Sequence, residues 1–237
     1  MASIQANLLK TRERIAQAAK ACGRSPDDIK LLAVSKTFPA EDVRTAFSFG
    51  QKLFGENYVQ EGVAKVQALN DLRTEIDWHF IGPIQSNKTK DVAEHFDWVH
   101  SIDRLKIAQR LNDQRPEHMG PIQVCVQVNI SGETSKSGLM PNELLDLCLH
   151  ISHMPRLRLR GLMSIPEPTD DVVSQKKAHR SLFELFQNLK KSSSLDHSLV
   201  QLDTLSMGMS SDIDSAISEG STMVRVGTAI FGKRTYS

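Results

Sequence analysis

Lys36 ends a short apolar run, Leu31-Leu32-Ala33-Val34-Ser35-Lys36-Thr37, that stops in front of Pro39. An uninterrupted apolar run of this length, bounded by proline, reads as a buried strand. Alternation places Leu32, Val34 and Lys36 on one face, so the ammonium points where its apolar neighbours point. Two chemistries follow. A desolvated lysine loses its proton more easily and becomes a nucleophile able to form a Schiff base. A lysine at a strand's end also snorkels to solvent. Near the other end of the chain, Ser206-Met207-Gly208-Met209-Ser210-Ser211 leads into a helical pattern, and Gly227-Thr228 offers backbone amides after a strand. Helix amino termini bind anions through unpaired N–H groups and the macrodipole. Ordinary capping by serine is the competing explanation. Arg225 shares a strand face with Met223 and Gly227, and if that face is buried its guanidinium needs a partner. A carboxylate is one candidate and a ring nitrogen of a bound cofactor the other. His79 reads as a core or pocket-lining histidine rather than a base. No His/Cys/Asp/Glu cluster has metal-ligand spacing, and SMGMS is not the GxSxG nucleophile elbow.

The elements that carry these residues alternate. A helix with Ile4, Leu8, Ile15 and Cys22 at helical spacing ends at Gly23, and Ser25 to Asp28 resembles a capped turn. After the Lys36 strand, Pro39 to Phe49 reads as a helix closed by Gly50. Lys52 to Phe54 is a strand. Asn57 then caps a helix running to about Leu72, with Gln60 completing a capping box. Strands follow at Trp78 to Ile81, Asp97 to Ile102, Ile122 to Ile130, Leu157 to Ser164, Asp203 to Met207 and Met223 to Val226. Helices lie between them at Ser86 to Phe96, Asp103 to Leu111, Pro141 to His153, Ser174 to Lys191, and from Ser210 or Ser211 to Gly220. Gly227 to Phe231 reads as one helical turn. Eight strand–helix alternations behind a leading helix predict an α/β protein with a single (β/α)8 barrel, residues 1–237 forming one domain. An open doubly wound sheet would show GxGxxG or GxxxxGK[ST] after its first strand, and neither is present. In such a barrel the strands' carboxyl ends gather Lys36, Asn57, His79, Asn129, Ser164, Ser206 and Arg225 at one mouth.

Composition narrows the partners. With 29 basic against 28 acidic residues in 237, nothing suggests nucleic acid or an anionic membrane. No apolar run reaches transmembrane length. The basic amino terminus could mimic a transit peptide, but its helical apolar spacing and Glu13 favour a structural helix. Three widely spaced cysteines, Cys22, Cys125 and Cys148, argue against a disulfide framework or zinc site and fit a reducing cytoplasm.

A Schiff-base lysine, an anion-binding turn and an arginine at a ring nitrogen together suggest pyridoxal 5′-phosphate. The stretches AVSKT around Lys36, FGENYVQE from Phe54, WHFIGPIQSNK from Trp78, RGLMSIP from Arg160, LSMGMSSD from Leu205 and GSTMVRVGTAIFG from Gly220 carry a resemblance. On them the chain resembles the YggS/PROSC family of pyridoxal-phosphate homeostasis proteins over nearly its whole length. The resemblance implies a barrel like the amino-terminal domain of alanine racemase. It also implies pyridoxal 5′-phosphate held as a Schiff base on Lys36, with Arg225 facing the pyridine nitrogen. Ser210, Gly227 and Thr228 would hold the phosphate, and Asn57 and Ser206 would line the ring site. The expected role is a cytoplasmic monomer that carries and buffers the cofactor, meets apoenzymes transiently, and has negligible racemase turnover. The chain ends just after the eighth strand, which leaves no room for a second β-rich domain with an opposing tyrosine. A pyridoxal-dependent racemase and a lysine-dependent aldolase acting on sugar phosphates are the alternatives.

Overall fold

β-branched and apolar residues dominate the strand segments, and glycine, proline and polar turns separate them from amphipathic helices. The computed structural model describes residues 3–132, 137–192 and 200–233. Eight parallel strands close in sequence order into a barrel. They are β1 (Lys30–Val34), β2 (Leu53–Glu56), β3 (Asp77–Phe80), β4 (Trp98–Ile102), β5 (Ile122–Gln127), β6 (Leu157–Met163), β7 (Val200–Ser206) and β8 (Met223–Val226). The helices are α1 (Ile4–Ala21), α2 (Ala40–Ser48), α3 (Val59–Ala68), α4 (Thr89–His95), α5 (Leu105–Gln114), α6 (Leu144–Ile151), α7 (Val172–Lys190), α8 (Ile213–Ser218) and α9 (Thr228–Phe231).

Period-two alternation divides each strand between two environments. Ala33, Phe54, Trp78, Val99, Val124, Val126, Leu162, Leu205 and Val224 join the helix residues Val43, Ala46, Val66, Ile107 and Leu182 in one apolar cluster, so this face looks outward. Leu32, Val34, Ile81 and Met223 pack together on the other face, as do Trp98, Cys125 and Met163, and these fill the barrel interior. Burial there pushes the Cys125 thiol well up, as for a core residue. Cys148 is likewise pushed up to about 12 by burial. Cys22 departs from the expected stripe: it is the exposed carboxyl cap of α1, and the buried positions are Leu8, Thr11, Ile15 and Ala19.

Four local expectations change. β1 stops at Val34, and Lys36 lies in a turn beyond it rather than on the strand. Thr37 has φ 69°, which a strand cannot accommodate. Tyr58, not Asn57, precedes α3 and makes no side-chain cap. Asp212, not Ser210 or Ser211, precedes α8. Arg104, not Asp103, precedes α5.

β6 and β7 approach closely at Gly161, whose register partner is Thr204. A Cβ on Gly161 would lie 1.8 Å from the Thr204 carbonyl oxygen. Gly161→Ala must therefore spread two strands, at a cost of about 2–3 kcal/mol. Urea denaturation of G161A should show that loss with little change in m-value; an unchanged midpoint would contradict the close approach.

Candidate functional site

The carboxyl ends of the strands form the mouth where the sequence expects chemistry. The seven residues expected to bind a cofactor fall on one contiguous arc, β7–β8–β1–β2. Lys36 follows β1, Asn57 follows β2, Ser206 closes β7, Ser210 lies in the β7–α8 loop, Arg225 is in β8, and Gly227 and Thr228 open α9. Gly227 packs closely on β1, because a Cβ there would sit 3.0 Å from the Val34 carbonyl oxygen. The rings of Phe38 and Phe231 stack with centroids 5.1 Å apart, so the loop after Lys36 rests on α9. The first N–H groups of α9 lack intrahelical acceptors by construction.

Arg225 dominates the electrostatics. It is 4% exposed, and its alternation with Met223 points it into the barrel. Nη1 donates to the Ser206 carbonyl at 2.6 Å and to Ser206 Oγ at 2.9 Å, and Nη2 donates to the Ser164 carbonyl at 2.8 Å. Among the described residues no carboxylate pairs with it, and Nε has no acceptor. Burial lowers its pKa to about 10, opposed by the charge of Asp212, so it stays cationic at neutral pH.

From Ser206 a run of hydrogen bonds crosses the interior. Ser206 Oγ meets His100 Nδ1 at 2.8 Å, and His100 Nε2 meets His79 Nδ1 at 2.8 Å. Arginine only donates, so the serine hydroxyl accepts from it. If the hydroxyl proton goes to His100 Nδ1, His100 donates from Nε2 to His79, and a single N–H at His79 Nε2 is left over. The reverse order strands both the serine proton and a lone pair at His79 Nε2. The first assignment therefore stands, and His79 Nε2 is buried without a described partner. Burial, then the nearby Arg225 charge, lowers His100 to about 3. Burial, then His100, lowers His79 well below its ordinary value. Both imidazoles are neutral, so Arg225 is the cation of this network. The stacking of His79 on Trp98, with centroids 5.1 Å apart, floors the site.

Two further groups shape the mouth. Asp212 Oδ1 accepts from Met209 N–H at 2.6 Å, and Oδ2 meets His179 Nε2 at 2.9 Å. Burial pushes the Asp212 carboxyl up, but the hydrogen bonds from His179 and Met209 outweigh it and hold the group below its usual range. Arg14 of α1 donates to the Ser210 carbonyl at 2.7 Å. The β7–α8 loop is thus fastened by Asp212 and α1, which frees the Ser210 and Ser211 side chains from capping. Asn57 is likewise released from capping, and its Oδ1 is buried with no described partner. Gly82 makes room for it: a Cβ at Gly82 would lie 2.1 Å from the Asn57 carbonyl oxygen.

Beside this arc, a cleft of about 460 Å³ opens between the β6–α7 and β7–α8 loops, lined by Pro166, Glu167, Lys177, Met209 and Asp212. None of the seven expected residues lines it. His100, Asp212 and a Glu56–Glu61–Lys65 cluster beneath Lys36 were not anticipated. A histidine two positions after Trp98 on one strand face was the available signal for the first. The i,i+4 pair Glu61 and Lys65 was the signal for the last.

The family described as alanine racemase, N-terminal domain, matches residues 4–235. A pyridoxal phosphate homeostasis protein of Pasteurella multocida is 54% identical over 235 residues, 99% of each chain. The structure of PipY of Synechococcus elongatus, described with PLP bound, superposes with TM-score 0.78 at 36% identity, covering 92% of this chain and 100% of that one. An alanine racemase of Clostridium difficile shares the fold, with TM-score 0.70 at 16% identity over 97% of this chain and 58% of its own.

The neutral histidines have a thermodynamic consequence. Below about pH 6.5 the unfolded chain protonates His100 while the folded chain does not until about pH 3, so acid lowers stability. The loss is about 1.4 kcal/mol per pH unit per histidine. Glu56, raised by burial, contributes with the opposite sign. It is common to wild type and His100→Gln and cancels between them. Urea titrations from pH 6 to 4.5 should show a slope shallower by about 1.4 kcal/mol per pH unit in H100Q. Equal slopes would mean that His100 is charged in the folded protein.

Proposed function

The chain belongs to the family of pyridoxal phosphate homeostasis proteins, and on that premise we propose that it binds pyridoxal 5′-phosphate on Lys36 and carries, buffers and helps deliver it. The observation that carries this reading is the arc itself. A lysine at one strand end shares four adjacent strands with a buried guanidinium that no described carboxylate neutralises. The residues fit the cofactor. Asn57 Oδ1 is a buried acceptor without a described partner, Arg225 Nε is a donor without one, and the first turn of α9 leaves amides for an anion.

In this reading Lys36 supplies the amine for the cofactor's aldehyde. Ser210, Gly227 and Thr228 hold the phosphate, Asn57 and Ser206 line the ring, and Arg225 faces the pyridine nitrogen. The cofactor, when bound, supplies an electron-accepting ring conjugated to a carbonyl. A cation facing its nitrogen disfavours a proton there and weakens it as an electron sink. Two carbonyls and Ser206 Oγ hold the Arg225 guanidinium, and the neutral histidine run behind it cannot relieve its charge, which supports this role. Racemisation also needs acid–base groups on two faces of the substrate carbon. Lys36 serves one face. His79 and His100 are committed to the buried run and neutral. Tyr58 is an exposed residue, 55% accessible. Tyr236 lies outside the described residues.

The relative described with PLP bound supports the cofactor assignment, and the family match over residues 4–235 supports reading residues 1–237 as a single cofactor-binding domain. Among the described residues no helix is long and apolar enough to cross a membrane. A cytoplasmic monomer that meets pyridoxal-dependent apoenzymes only transiently completes the reading.

Borohydride reduction of cofactor-loaded protein followed by peptide mass mapping should place the adduct on Lys36. A main adduct on Lys88 or Lys233 would overturn the assignment, as would one on Lys136, which lies outside the described residues. Incubation with L-alanine should give no D-alanine beyond the rate of free cofactor. Rapid racemisation lost in Lys36→Ala would replace the carrier by a racemase.

A further inference from the structure

The turn that bears Lys36 is held from below by charged groups that binding does not explain. The Ser35 carbonyl accepts from Lys65 Nζ at 2.6 Å, and Ser35 Oγ donates to Glu56 Oε1 at 2.6 Å. On the other side of Lys36, Thr37 N–H donates to Glu61 Oε1 at 2.5 Å. Lys65 Nζ joins both carboxylates, at 2.8 Å to Glu56 Oε1 and 2.6 Å to Glu61 Oε1. The Lys65 ammonium therefore grips the backbone immediately before Lys36 and the Glu61 carboxylate the backbone immediately after it, while Glu56 holds the Ser35 hydroxyl and Lys65 Nζ. Ser35 N–H continues the ladder to the Gly55 carbonyl at 3.0 Å, and Phe38 N–H returns to the Ser35 carbonyl at 3.1 Å, closing the turn around the lysine.

Two features show that this grip is more than packing. Among the described residues Thr37 is the only non-glycine with positive φ, 69°. A β-branched residue in that region is strained and persists only where its surroundings over-determine it. The Thr37 N–H bond to Glu61 supplies that determination. The cluster is also an expensive way to fill space. The Glu56 side chain is wholly buried and the Lys65 side chain 6% exposed, and buried ion pairs seldom stabilise more than apolar residues of the same volume. Glu56 Oε2 lacks any described partner, which adds to that cost.

We infer that Glu56, Lys65 and Glu61 are positioning residues that fix the strained Ser35–Lys36–Thr37 turn and so aim the Lys36 amine into the barrel mouth. The inference rests on the assignment of the cofactor to Lys36. Glu61 is the most accessible member, its side chain 28% exposed, and the safest to alter.

The test compares Glu61→Ala, Glu61→Gln and Gly161→Ala in the full chain. Glutamine keeps an oxygen for Thr37 N–H and Lys65, whereas alanine keeps none. Gly161→Ala lowers stability in β6, away from this turn. Two readouts are taken: amide exchange at Thr37 in cofactor-free protein, and decay of the bound cofactor's visible band after dilution of loaded protein. E61A should raise both rates at least about tenfold, the scale of one lost charge-assisted hydrogen bond, and E61Q less than about threefold. G161A should leave Thr37 exchange within about threefold, although its melting temperature falls. Its cofactor decay is no control, because β6 leads to Ser164 and β7 ends in Ser206, the partners of Arg225. Unchanged rates in E61A, or equal acceleration of Thr37 exchange in G161A, would overturn the inference. If borohydride places no adduct on Lys36, the cofactor assignment fails instead. Thr37 exchange in cofactor-free protein then still decides whether the cluster holds the turn.

Discussion

A guanidinium sealed inside the barrel sets the terms for everything around it. Arg225 is cationic and buried, and the described residues answer it with two backbone carbonyls and one hydroxyl rather than a carboxylate. Such a charge is stable only if every group nearby is arranged for it. Ser206 must turn its hydroxyl proton away, toward His100. His100 and His79 must remain neutral, since a second cation would face the first at close range. Asp212 offers distant negative charge, while its carboxylate oxygens are occupied by Met209 N–H and His179. What remains of the guanidinium is Nε, a donor without an acceptor among the described residues.

The residues expected to bind a cofactor lie in one half of the barrel, and the other half carries none of them. The four strands β7, β8, β1 and β2 carry the expected ligand contacts, and their loops are tied down individually. Arg14 and Asp212 hold the β7–α8 loop, the Phe38–Phe231 stack joins the turn after β1 to α9, and the Glu56–Lys65–Glu61 cluster holds the backbone on both sides of Lys36. Stability comes mainly from the outward strand faces, which pack on the helices in one apolar cluster. Buried polar residues such as His79, His100, Ser206 and Arg225 lie inside the barrel instead, where burial costs stability. A site built this way is held by loops fastened to a rigid frame rather than by the frame alone.

Much of this was legible in the sequence because period-two and helical spacing survive without knowledge of contacts. The limits of β8 and the single turn after Gly227 match the expected bounds, and Cys125 packs into the barrel as a core residue. The failures share a cause. The apolar run to Val34 extends the expected strand to Lys36, but the turn begins where Glu61 and Lys65, far along the chain, capture the backbone. Asn57, Ser210 and Ser211 look like helix caps from local chemistry alone. Tertiary contacts instead start α3 and α8 later, at Val59 and Ile213, and leave those side chains for other partners. His100 is not legible in the sequence because one polar residue in a strand pattern has no distinguishing mark until β7 and β8 bring Ser206 and Arg225 to it.

The most direct test of the account concerns the proton on the cofactor's ring. If Arg225 faces the pyridine nitrogen as a fixed cation, that nitrogen cannot be protonated near neutral pH. Nitrogen NMR of protein loaded with ring-labelled pyridoxal 5′-phosphate should give the shift of an unprotonated pyridine from pH 6 to 8, and Arg225→Glu should move it to the protonated value. A protonated ring in the unaltered protein would contradict the role given to the buried guanidinium, and with it the organisation of the site.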